Sequence, residues 1–400
     1  MSELTVHYGE QLVGLLAEAR GGIFFEYDPG FIATGVELSP LNLPLGPGVK
    51  SRDGAVSMRL PGVFEDSLPD RWGERIMLEW FLRQGISAPA ITPLMRLAYI
   101  GQRAMGALSY QPELKIESDD SLSLQAVFEA AAAAEAGRPF DLNMLAQASG
   151  SAGGARPKAL VSLSDDPVAP VLSTSVKLPS GYSHWIVKFD TSARGEDGVL
   201  EEAYARMARV AGIDFPSTRL LATIAAGQPR HHFAVQRFDR VGETRIHYHS
   251  LAGLCQMLGG DLDYQTFLRV TRRITRDERA VWKAFRRAAF NVLASNRDDH
   301  GKNQGFLLID GEWRLSPAFD ITFSAPQQLP ERGMAICGER RTAGRNELRT
   351  LAEREGLDRA GAAEILEEVV AAIGRWDEFA VSAGVSPALA AAVAGALRRA

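Results

Sequence analysis

The sequence has few cysteines, no excess of basic residues and no long apolar run, and each absence argues against a class of protein. Its two cysteines, Cys255 and Cys337, are too few for a disulfide framework and form no CxxC pair of the kind that binds zinc. A formal net charge of -5 argues against binding nucleic acid through a general basic field. No stretch approaches eighteen uninterrupted apolar residues, and residues 1–5 lack the basic start of an export signal. We therefore expect a cytoplasmic protein without a membrane partner.

The composition that is present is that of an ordinary globular protein. Hydrophobic residues make up 46% of the 400 positions and charged residues 23%, so the chain is long enough to bury the cores of two or three domains.

One segment, Asn296 to Asn303, has the spacing of a loop that transfers phosphoryl groups. Protein kinases place an Asp, four other residues and an Asn between a helix and a strand, so that the Asp meets the substrate hydroxyl and the Asn holds magnesium. Asp298 and Asn303 have this spacing. The alternative is that Asp and Asn gather in this loop for ordinary turn chemistry.

The residues after this loop predict a hairpin that returns the chain to it. Two apolar runs, 305–309 and 312–315, are joined by Asp310-Gly311, the strongest short hairpin signal. A two-residue turn would place Asn303 opposite Ala318 and bring Asp320 next to the loop. We therefore predict that Asp298, Asn303 and Asp320 lie at one open end of the hairpin.

A glycine-rich stretch, Ser149 to Lys158, precedes a predicted strand. Glycines allow backbone amides to approach phosphate oxygens closely, and Lys158 adds a further donor. The stretch matches neither the protein-kinase GxGxxG pattern nor Walker A, so a plain flexible connector is the alternative.

Lys188 lies within the apolar strand Trp185 to Phe189, shortly after this stretch. A buried lysine needs a partner, and in kinases such a strand lysine contacts nucleotide phosphates and pairs with a helix glutamate. The helical run 200–208 offers Glu201 as the first choice and Glu202 as the second. The alternative is a lysine at a strand edge with its head in water.

The order of patterns predicts an α+β, two-lobed protein-kinase-like fold. Residues 1–112 form a small β-rich N-terminal subdomain, with a helix from about Arg71 that Ser67 or Asp70 caps, and 112–123 is a polar linker. Residues 113–240 form the kinase-like N-lobe with the glycine-rich loop, and 241–400 a mostly helical C-lobe with the catalytic loop. The strand end at Gln236 and Phe238 is the expected hinge, where their backbone groups bind adenine, although Phe238 equally suits hydrophobic packing.

Two histidine patterns suggest metal sites and are set aside. His247 and His249 share one face of a possible strand, but no nearby Cys or His completes a metal set, so chance or surface placement is the better interpretation. The run from Asp298 to His300 suggests a transition metal, but Asp320 and the kinase-like lysine favour oxygen-liganded magnesium.

The ordered set of motifs resembles the HipA-like serine/threonine kinases, the toxins of bacterial type II toxin-antitoxin modules. The motifs that carry the resemblance run nearly end to end: 38–44, 68–73, 105–110, 151–158, 187–189, 237–240, 298–303 and 316–320. Each is short, and their number and order make the combination specific.

This resemblance implies an ATP- and magnesium-dependent protein serine/threonine kinase. By position, Asp298 matches the catalytic base, Lys188 the phosphate-contacting lysine, and Asn303 and Asp320 the metal ligands. Ser151 matches the serine on which family members autophosphorylate, a change that ejects the loop and switches the kinase off. The nucleotide contacts expected in the loops are Ala152, Gly153, Gly154, Ala155, Arg156, Pro157, Lys158, His300 and Lys302.

The resemblance also implies partners and leaves the substrate open. Relatives phosphorylate aminoacyl-tRNA synthetases and bind a small helix-turn-helix antitoxin similar to HipB, so DNA is expected to be reached only through that partner. The metal aspartate stands in Phe319-Asp320-Ile321 rather than Asp-Phe-Gly, and Arg156-Pro157 varies a loop position. A catalytically weak corepressor and a small-molecule kinase are the alternatives.

Overall fold

The computed structural model describes residues 2–19, 21–51, 60–151, 154, 156–257 and 259–398. The strands are β1 Glu3–Tyr8, β2 Gln11–Ala19, β3 Gly22–Tyr27, β4 Lys50–Ser51, β5 Leu108–Gln111, β6 Ser121–Leu122, β7 Lys158–Ser164, β8 Val171–Ser173, β9 Tyr182–Lys188, β10 Thr218–Ala225, β11 Gln228–Gln236, β12 Arg240–Val241, β13 Thr244–Arg245, β14 His247–Ser250, β15 Gly305–Ile309 and β16 Glu312–Leu315. The helices are α1 Pro29–Ile32, α2 Gly62–Glu65, α3 Arg71–Arg83, α4 Pro93–Ile100, α5 Leu124–Glu135, α6 Leu142–Ala148, α7 Asp197–Val210, α8 Leu251–Cys255, α9 Tyr264–Thr275, α10 Glu278–Leu293, α11 Arg345–Arg354, α12 Arg359–Gly374, α13 Trp376–Ala383 and α14 Pro387–Leu397. None of these helices is long and apolar enough to cross a membrane.

An antiparallel sheet with the strand order β4-β3-β2-β1-β5 opens the described chain. Leu4 and Val6 of β1 are buried, because alternate residues of a strand face the same side. Helix α4 packs against β1 and β2 and adds Leu94 and Leu97 to the same core. The predicted β-rich N-terminal subdomain is therefore present.

A second antiparallel sheet, in the order β10-β11-β9-β7-β8-β6, forms the upper lobe. The register of β9 pairs Lys188 with Lys158 on β7 and with Phe233 on β11. Helix α7 packs across β10 and β11. The sheet thus brings two lysines from separate motifs side by side.

The lower lobe is mostly helical around a small sheet in the order β14-β15-β16. The predicted hairpin is confirmed, with Phe306 opposite Leu315 and Ile309 opposite Glu312. Helices α9 and α10 pack against each other, and α10 ends at Leu293, shortly before the predicted catalytic loop. The Tyr204 hydroxyl of α7 donates to the Ala294 carbonyl at 2.8 Å, which joins the two lobes.

The fold also departs from the sequence-based reading in local ways. Strand β6 lies within the predicted linker, and α8 ends at Cys255 because Gln256 takes a left-handed conformation at φ 51°. Helix α9 is not predicted at all. Trp72 of α3 shares an apolar cluster with Phe128 and Trp185, so the predicted domain 1–112 has part of its core in common with the next. The boundaries at 112 and 240 stay predictions.

Candidate phosphoryl-transfer site

Lys188 is the side chain that joins the two lobes at the site. Its ammonium group donates to Glu201 Oε1 on α7 and to Asp320 Oδ1 after the β15-β16 hairpin. Because two lysines directly opposite each other on neighbouring strands repel, Lys188 and Lys158 require nearby carboxylates. Of the two glutamates considered from the sequence, the structure places Glu201 against Lys188, whereas Glu202 pairs with Arg206.

The local electrostatics follow from this arrangement. Burial alone would lower the pKa of Lys188, but Asp320 and Glu201 raise it above its usual value. Burial alone would raise the pKa of Asp320, but Lys188 and Lys158 lower it. Burial lowers the pKa of Lys158 to about 8, with Asp320 and Lys188 acting in opposite directions. The carboxylate of Asp320 is therefore ionised and faces cations.

Helix α7 is held in position by Asp190, two residues after Lys188. Its N-cap position, Glu196, makes no side-chain capping bond. Instead Asp190 Oδ2 accepts from the backbone N–H groups of Asp197 at 2.8 Å and Gly198 at 3.4 Å. A carboxylate here satisfies unpaired donors and favours the helix dipole. Strand β9 and helix α7 are thus fixed relative to each other, which sets Glu201 opposite Lys188.

Asp298, in the predicted catalytic loop, is exposed to solvent. The Asp298 side chain is 67% exposed, and its Oδ1 lies 3.7 Å from His300 Nε2. The Asn303 side-chain N–H donates to the Asp298 carbonyl at 2.9 Å, which holds the loop closed. His300 also contributes to the lowered pKa of Asp320, although less than Lys188 and Lys158 do. An exposed carboxylate next to a charged cleft can accept a proton from a substrate hydroxyl.

Asp299, the next residue, is buried and anchors this loop. Its carboxylate accepts from the Tyr264 hydroxyl at 2.7 Å, Arg332 Nη1 at 2.8 Å and the Gly333 amide at 2.8 Å. Burial raises the pKa of Asp299 and outweighs the opposing effect of Arg332. Asp298 and Asp299 therefore have different environments, one open to a substrate and the other structural.

Asp320 has the backbone conformation of a constrained site. Its φ is 52°, which a non-glycine residue rarely adopts. Such outliers cost of the order of 1 to 3 kcal/mol and persist where the surrounding structure imposes them. The ladder of the hairpin continues to the bond from Ser316 N to Gly305 O, after which Ala318 N donates to Asp214 O. The chain thus leaves the sheet before it reaches Asp320, and Ala318 does not continue the ladder opposite Asn303.

Gly154 and Lys158 of the glycine-rich stretch lie next to these charges. Lys158 Nζ donates to the Gly154 carbonyl at 3.0 Å, and a Cβ added to Gly154 would lie 3.5 Å from Asp320 Oδ2. The Ser151 hydroxyl is buried and accepts from the Met105 amide at 2.5 Å. Arg156 pairs with Asp197 at 3.3 Å, and the Pro157 carbonyl accepts from Phe189 N. The predicted contacts Ala152, Gly153 and Ala155 lie outside the described residues.

Lys302, a predicted nucleotide contact, pairs with a residue of the N-terminal subdomain. Its ammonium lies 3.1 Å from Asp70 Oδ1, and Asp70 Oδ2 accepts from the Gly154 amide at 2.8 Å. The prediction that Asp70 caps helix α3 is therefore wrong for its side chain, although Asp70 does occupy the N-cap position. Ser67 does not cap this helix either, since it accepts from the Tyr110 hydroxyl.

An apolar cleft adjoins Lys188 and Asp320 at the predicted hinge. It is lined by Met105, Ile186, Lys188, Val235, Gln236, Arg237, Phe238, Asp239, Phe319 and Asp320. Phe238 both lines this cleft and packs against Tyr248 and Phe319. The Gln236 amide already donates to the Ser217 carbonyl, so in this conformation it is not free to bind adenine.

The histidine pair is buried rather than on the surface, which corrects the sequence interpretation. His249 Nδ1 lies 2.6 Å from Asp66 Oδ2 and its Nε2 lies 3.0 Å from the Ser39 hydroxyl. His247 Nε2 lies 2.9 Å from the Leu38 carbonyl. These contacts join β14 of the lower lobe to the N-terminal subdomain. The Ser-His-Asp order resembles a hydrolase triad, but Ser39 and His249 are buried and the Asp66 side chain is only 8% exposed, so the group is almost closed to solvent.

The residues present suit magnesium and a nucleotide. Mg²⁺ takes oxygen ligands and usually binds through one or two carboxylates together with substrate phosphates. Asp320 supplies a carboxylate, and the Asn303 side-chain oxygen remains after its nitrogen donates to Asp298. Within the described residues no group of three or more His, Cys, Asp or Glu is placed to hold a metal. A small donor set completed by phosphate oxygens therefore fits better than an all-protein cage.

Four carboxylates with positioning roles are missed by the sequence reasoning: Asp70, Asp190, Asp239 and Asp299. Asp239 is buried at the hinge, where burial alone would raise its pKa but Arg237 and Arg240 lower it. It also accepts from the Gly106 amide at 2.7 Å, which ties the hinge to the N-terminal subdomain. A signal for all four exists in the sequence, since Asp70, Asp239 and Asp299 lie within motifs that carry the resemblance and Asp190 directly follows another.

Fold and site together define a protein-kinase-like chain with two lobes and an N-terminal β-rich subdomain. Two family models match it: the HipA N-terminal domain at residues 4–111 and the HipA-like C-terminal domain at residues 150–376. The chain belongs to the HipA family. No curated protein matches the sequence.

A solved structure has the same fold along nearly the whole chain. The HipA of Shewanella oneidensis MR-1, from a complex with HipB and operator DNA, matches with a TM-score of 0.70 and 18% identity. The match covers 99% of this chain and 95% of that one. The similarity to the Helicobacter pylori proinflammatory kinase CtkA is weak, with a TM-score of 0.33 and 14% identity, and covers 53% of this chain and 92% of that one.

Proposed function

We propose that this chain is an ATP- and Mg²⁺-dependent protein serine/threonine kinase and the toxin of a type II toxin-antitoxin pair. The observation that carries the proposal is the ammonium of Lys188, shared between Glu201 of the upper lobe and Asp320 of the lower lobe. A strand lysine between a helix glutamate and a metal-binding aspartate is the arrangement with which kinases prepare phosphates for transfer.

Each side chain has a defined part in the proposed reaction. Asp298 orients the acceptor hydroxyl and accepts its proton, because its carboxylate is exposed beside His300 in the predicted catalytic loop. Lys188 and Lys158 neutralise charge on the phosphate oxygens, and Asn303 and Asp320 hold the metal. Bound Mg²⁺ would supply further charge neutralisation. The apolar walls at Phe238 and Phe319 suit a purine ring.

Ser151 is the proposed site of autophosphorylation. In this structure its hydroxyl is buried against the Met105 amide, so the loop must leave this position before Ser151 can be modified. A phosphate would add up to about two negative charges in place of a buried neutral group. Such a group is incompatible with the observed contact, which supports a loop that is expelled after modification.

The proposed partners come from the family. The matched Shewanella oneidensis HipA was solved with HipB and operator DNA. We extend this to a helix-turn-helix antitoxin for the present chain, with DNA reached through the antitoxin. An aminoacyl-tRNA synthetase is the proposed class of protein substrate, which would place the activity in the cytoplasm.

The proposal is tested with radiolabelled ATP, Mg²⁺ and a cytosolic lysate. The wild-type chain should label itself at Ser151 and at least one lysate protein, and Asp298→Ala should label neither. Glu312→Gln is the matched control, because Glu312 is an exposed acidic residue on the neighbouring hairpin. Labelling by Asp298→Ala at the wild-type rate would show that the assignment of the base is wrong.

The corepressor alternative gives a different pattern. The match to a complex with HipB and operator DNA favours keeping it as the second candidate. A chain that fails to bind Mg²⁺ and ATP, yet tightens binding of the antitoxin to its operator in a mobility-shift assay, would support corepression over phosphorylation.

A further inference from the structure

Asp70 belongs to the N-terminal subdomain but directs its side chain into the candidate site. It stands at the N-cap position of α3, where an aspartate ordinarily accepts from the first backbone N–H groups of the helix. Its side chain makes no such bond. Oδ2 accepts from the Gly154 amide at 2.8 Å, and Oδ1 lies 3.1 Å from the Lys302 ammonium. Instead of capping α3, the Asp70 side chain therefore binds two loops that are distant in sequence.

The two partners of Asp70 lie in the two loops that the proposed reaction needs. Gly154 is in the glycine-rich loop, next to Lys158 and Asp320. Lys302 precedes Asn303 in the catalytic loop, and its own carbonyl accepts from the Tyr248 hydroxyl at 3.3 Å. One carboxylate thus connects a loop of the upper lobe with a loop of the lower lobe.

The charges around Asp70 agree with this geometry. Its side chain is only 20% exposed, so its ion pair with Lys302 is screened less than a surface pair. Burial alone would raise the pKa of Asp70, but Lys302, the Gly154 amide and Lys158 lower it. The carboxylate is ionised at neutral pH, and its two hydrogen bonds are charge-assisted.

A second contact holds the same loop to the same subdomain. The Met105 amide donates to the Ser151 hydroxyl at 2.5 Å, three positions before Gly154. Met105 is fixed in turn through its neighbour Gly106, whose amide donates to Asp239 at 2.7 Å. The N-terminal subdomain therefore contacts the glycine-rich loop at both Ser151 and Gly154.

We infer that Asp70 is a positioning residue of the nucleotide site, through which the N-terminal subdomain holds the glycine-rich loop and the catalytic loop in register. The inference rests on the proposed kinase function and deepens it. A loop that is ordered before the nucleotide arrives loses less conformational entropy on binding. The phosphate-binding half of the site therefore depends on Asp70, whereas the apolar cleft does not.

Amide hydrogen exchange and nucleotide binding of the full chain test this inference. Asp70→Ala should speed exchange in the peptide that spans residues 149–157 and weaken binding of Mg²⁺-ATP about tenfold. Binding of adenosine alone should stay within about twofold, because adenosine does not use the phosphate donors. Asp70→Asn keeps an oxygen for the Gly154 amide and should rescue most of the loop protection.

The control variant is Glu74→Gln on the first turn of the same helix. Glu74 pairs with Arg96 at 2.5 Å rather than with Gly154 or Lys302, so this variant should match wild type in all three measurements. Unchanged or tighter Mg²⁺-ATP binding in Asp70→Ala, unchanged loop exchange, or no rescue by Asp70→Asn would each overturn the inference.

The experiment separates this inference from the proposed function. If the wild-type chain binds no Mg²⁺-ATP but Asp70→Ala still speeds loop exchange, the kinase proposal fails and the contact by Asp70 stands. If Mg²⁺-ATP binds equally well to wild type and Asp70→Ala, the positioning role fails and the kinase proposal stands.

Discussion

Asp299 and Arg332 form a buried ion pair, with Oδ2 and Nη1 2.8 Å apart and both side chains almost inaccessible. The pair ties the catalytic loop to the segment at 332–334, where the Gly333 amide also donates to Asp299. Arg297, on the other side of Asp298, donates to the carbonyls of Pro330 and Arg341. Asp298 is therefore exposed between two anchored neighbours, which fixes its position without burying it.

Replacing Asp299 by Asn should destabilise the chain by about 3 to 5 kcal/mol, because it leaves Arg332 buried without its counter-charge. Urea unfolding measures this cost. Asp277→Asn is the control, since Asp277 pairs with an 88% exposed arginine and loss of a solvent-exposed pair should change stability little. The double variant Asp299→Asn/Arg332→Met should lose less than the two single variants together. Equal losses in Asp299→Asn and Asp277→Asn would show that the buried pair does not anchor the loop.

Two variants, Glu201→Gln and Glu202→Gln, distinguish the roles of the neighbouring glutamates of α7. Both are buried, but only Glu201 contacts Lys188, whereas Glu202 contacts Arg206. Glu201→Gln should reduce kcat/KM for Mg²⁺-ATP about tenfold, because Lys188 loses a charged partner that orients it. Glu202→Gln should leave kcat/KM within about twofold. Initial rates of autophosphorylation measure both, and a larger kinetic defect in Glu202→Gln would contradict the assigned pairing.

His232 should make the upper lobe sensitive to acid. Its Nδ1 accepts from the Asp190 amide at 3.0 Å, so the ring is neutral, and burial lowers its pKa to about 4. Between this value and the ordinary pKa of about 6.5 the unfolded chain binds more protons than the folded chain, so stability falls as the pH drops through this window. The loss is up to about 3 kcal/mol for this group.

Unfolding free energies at pH 7 and pH 4.5 measure this dependence, and His232→Gln should flatten it. His231→Gln is the control, because His231 is an exposed neighbour on the same strand. Since Asp190 also holds the N-terminus of α7, acid should expose this helix early in hydrogen exchange. The same pH dependence in wild type and His232→Gln would show that His232 does not cause the loss of stability in acid.

Local patterns in the sequence are sufficient for the elements that carry the proposed chemistry. The strand with Lys188, the helix with Glu201 and the hairpin after Asn303 are each marked by the periodicity or turn residues of one short segment. Their order along the chain follows a known arrangement, so their proximity in space could be expected. The contact between Lys188 and Glu201 could therefore be predicted from the sequence.

Contacts between distant segments could not be derived in this way. Asp70 is separated by 84 positions from Gly154 and by 232 from Lys302, and an aspartate before a helix predicts a cap. Asp299 depends on Tyr264, which lies in helix α9, an element that the sequence reasoning missed. The interpretation of His249 as a chance or surface residue is wrong, because its partners Asp66 and Ser39 lie in another subdomain and local sequence does not reveal them. In each case the tertiary fold, rather than local propensity, determines the role of the polar group.

Gly154 has a positive φ, which favours glycine, and it lies close to the Lys158 side chain. Its φ is 101°, and a Cβ at this position would come within 2.8 Å of Lys158 Nζ. Gly154→Ala should therefore cost about 1 to 3 kcal/mol in backbone strain and also displace Lys158 from the place where phosphate oxygens would bind. Gly181→Ala is the matched control, since Gly181 has φ 78° with nothing within 4 Å of an added Cβ.

Both glycine variants should lose stability in thermal unfolding, but only Gly154→Ala should weaken Mg²⁺-ATP binding, by about tenfold as judged from calorimetric titration. The comparison isolates the steric effect on Lys158 from the conformational cost that the two positions share. If Gly181→Ala weakened binding as much as Gly154→Ala, the effect would come from general destabilisation. If neither variant changed binding, Lys158 and Gly154 would not be part of the phosphate site, and Lys188 would remain as the proposed contact from the upper lobe.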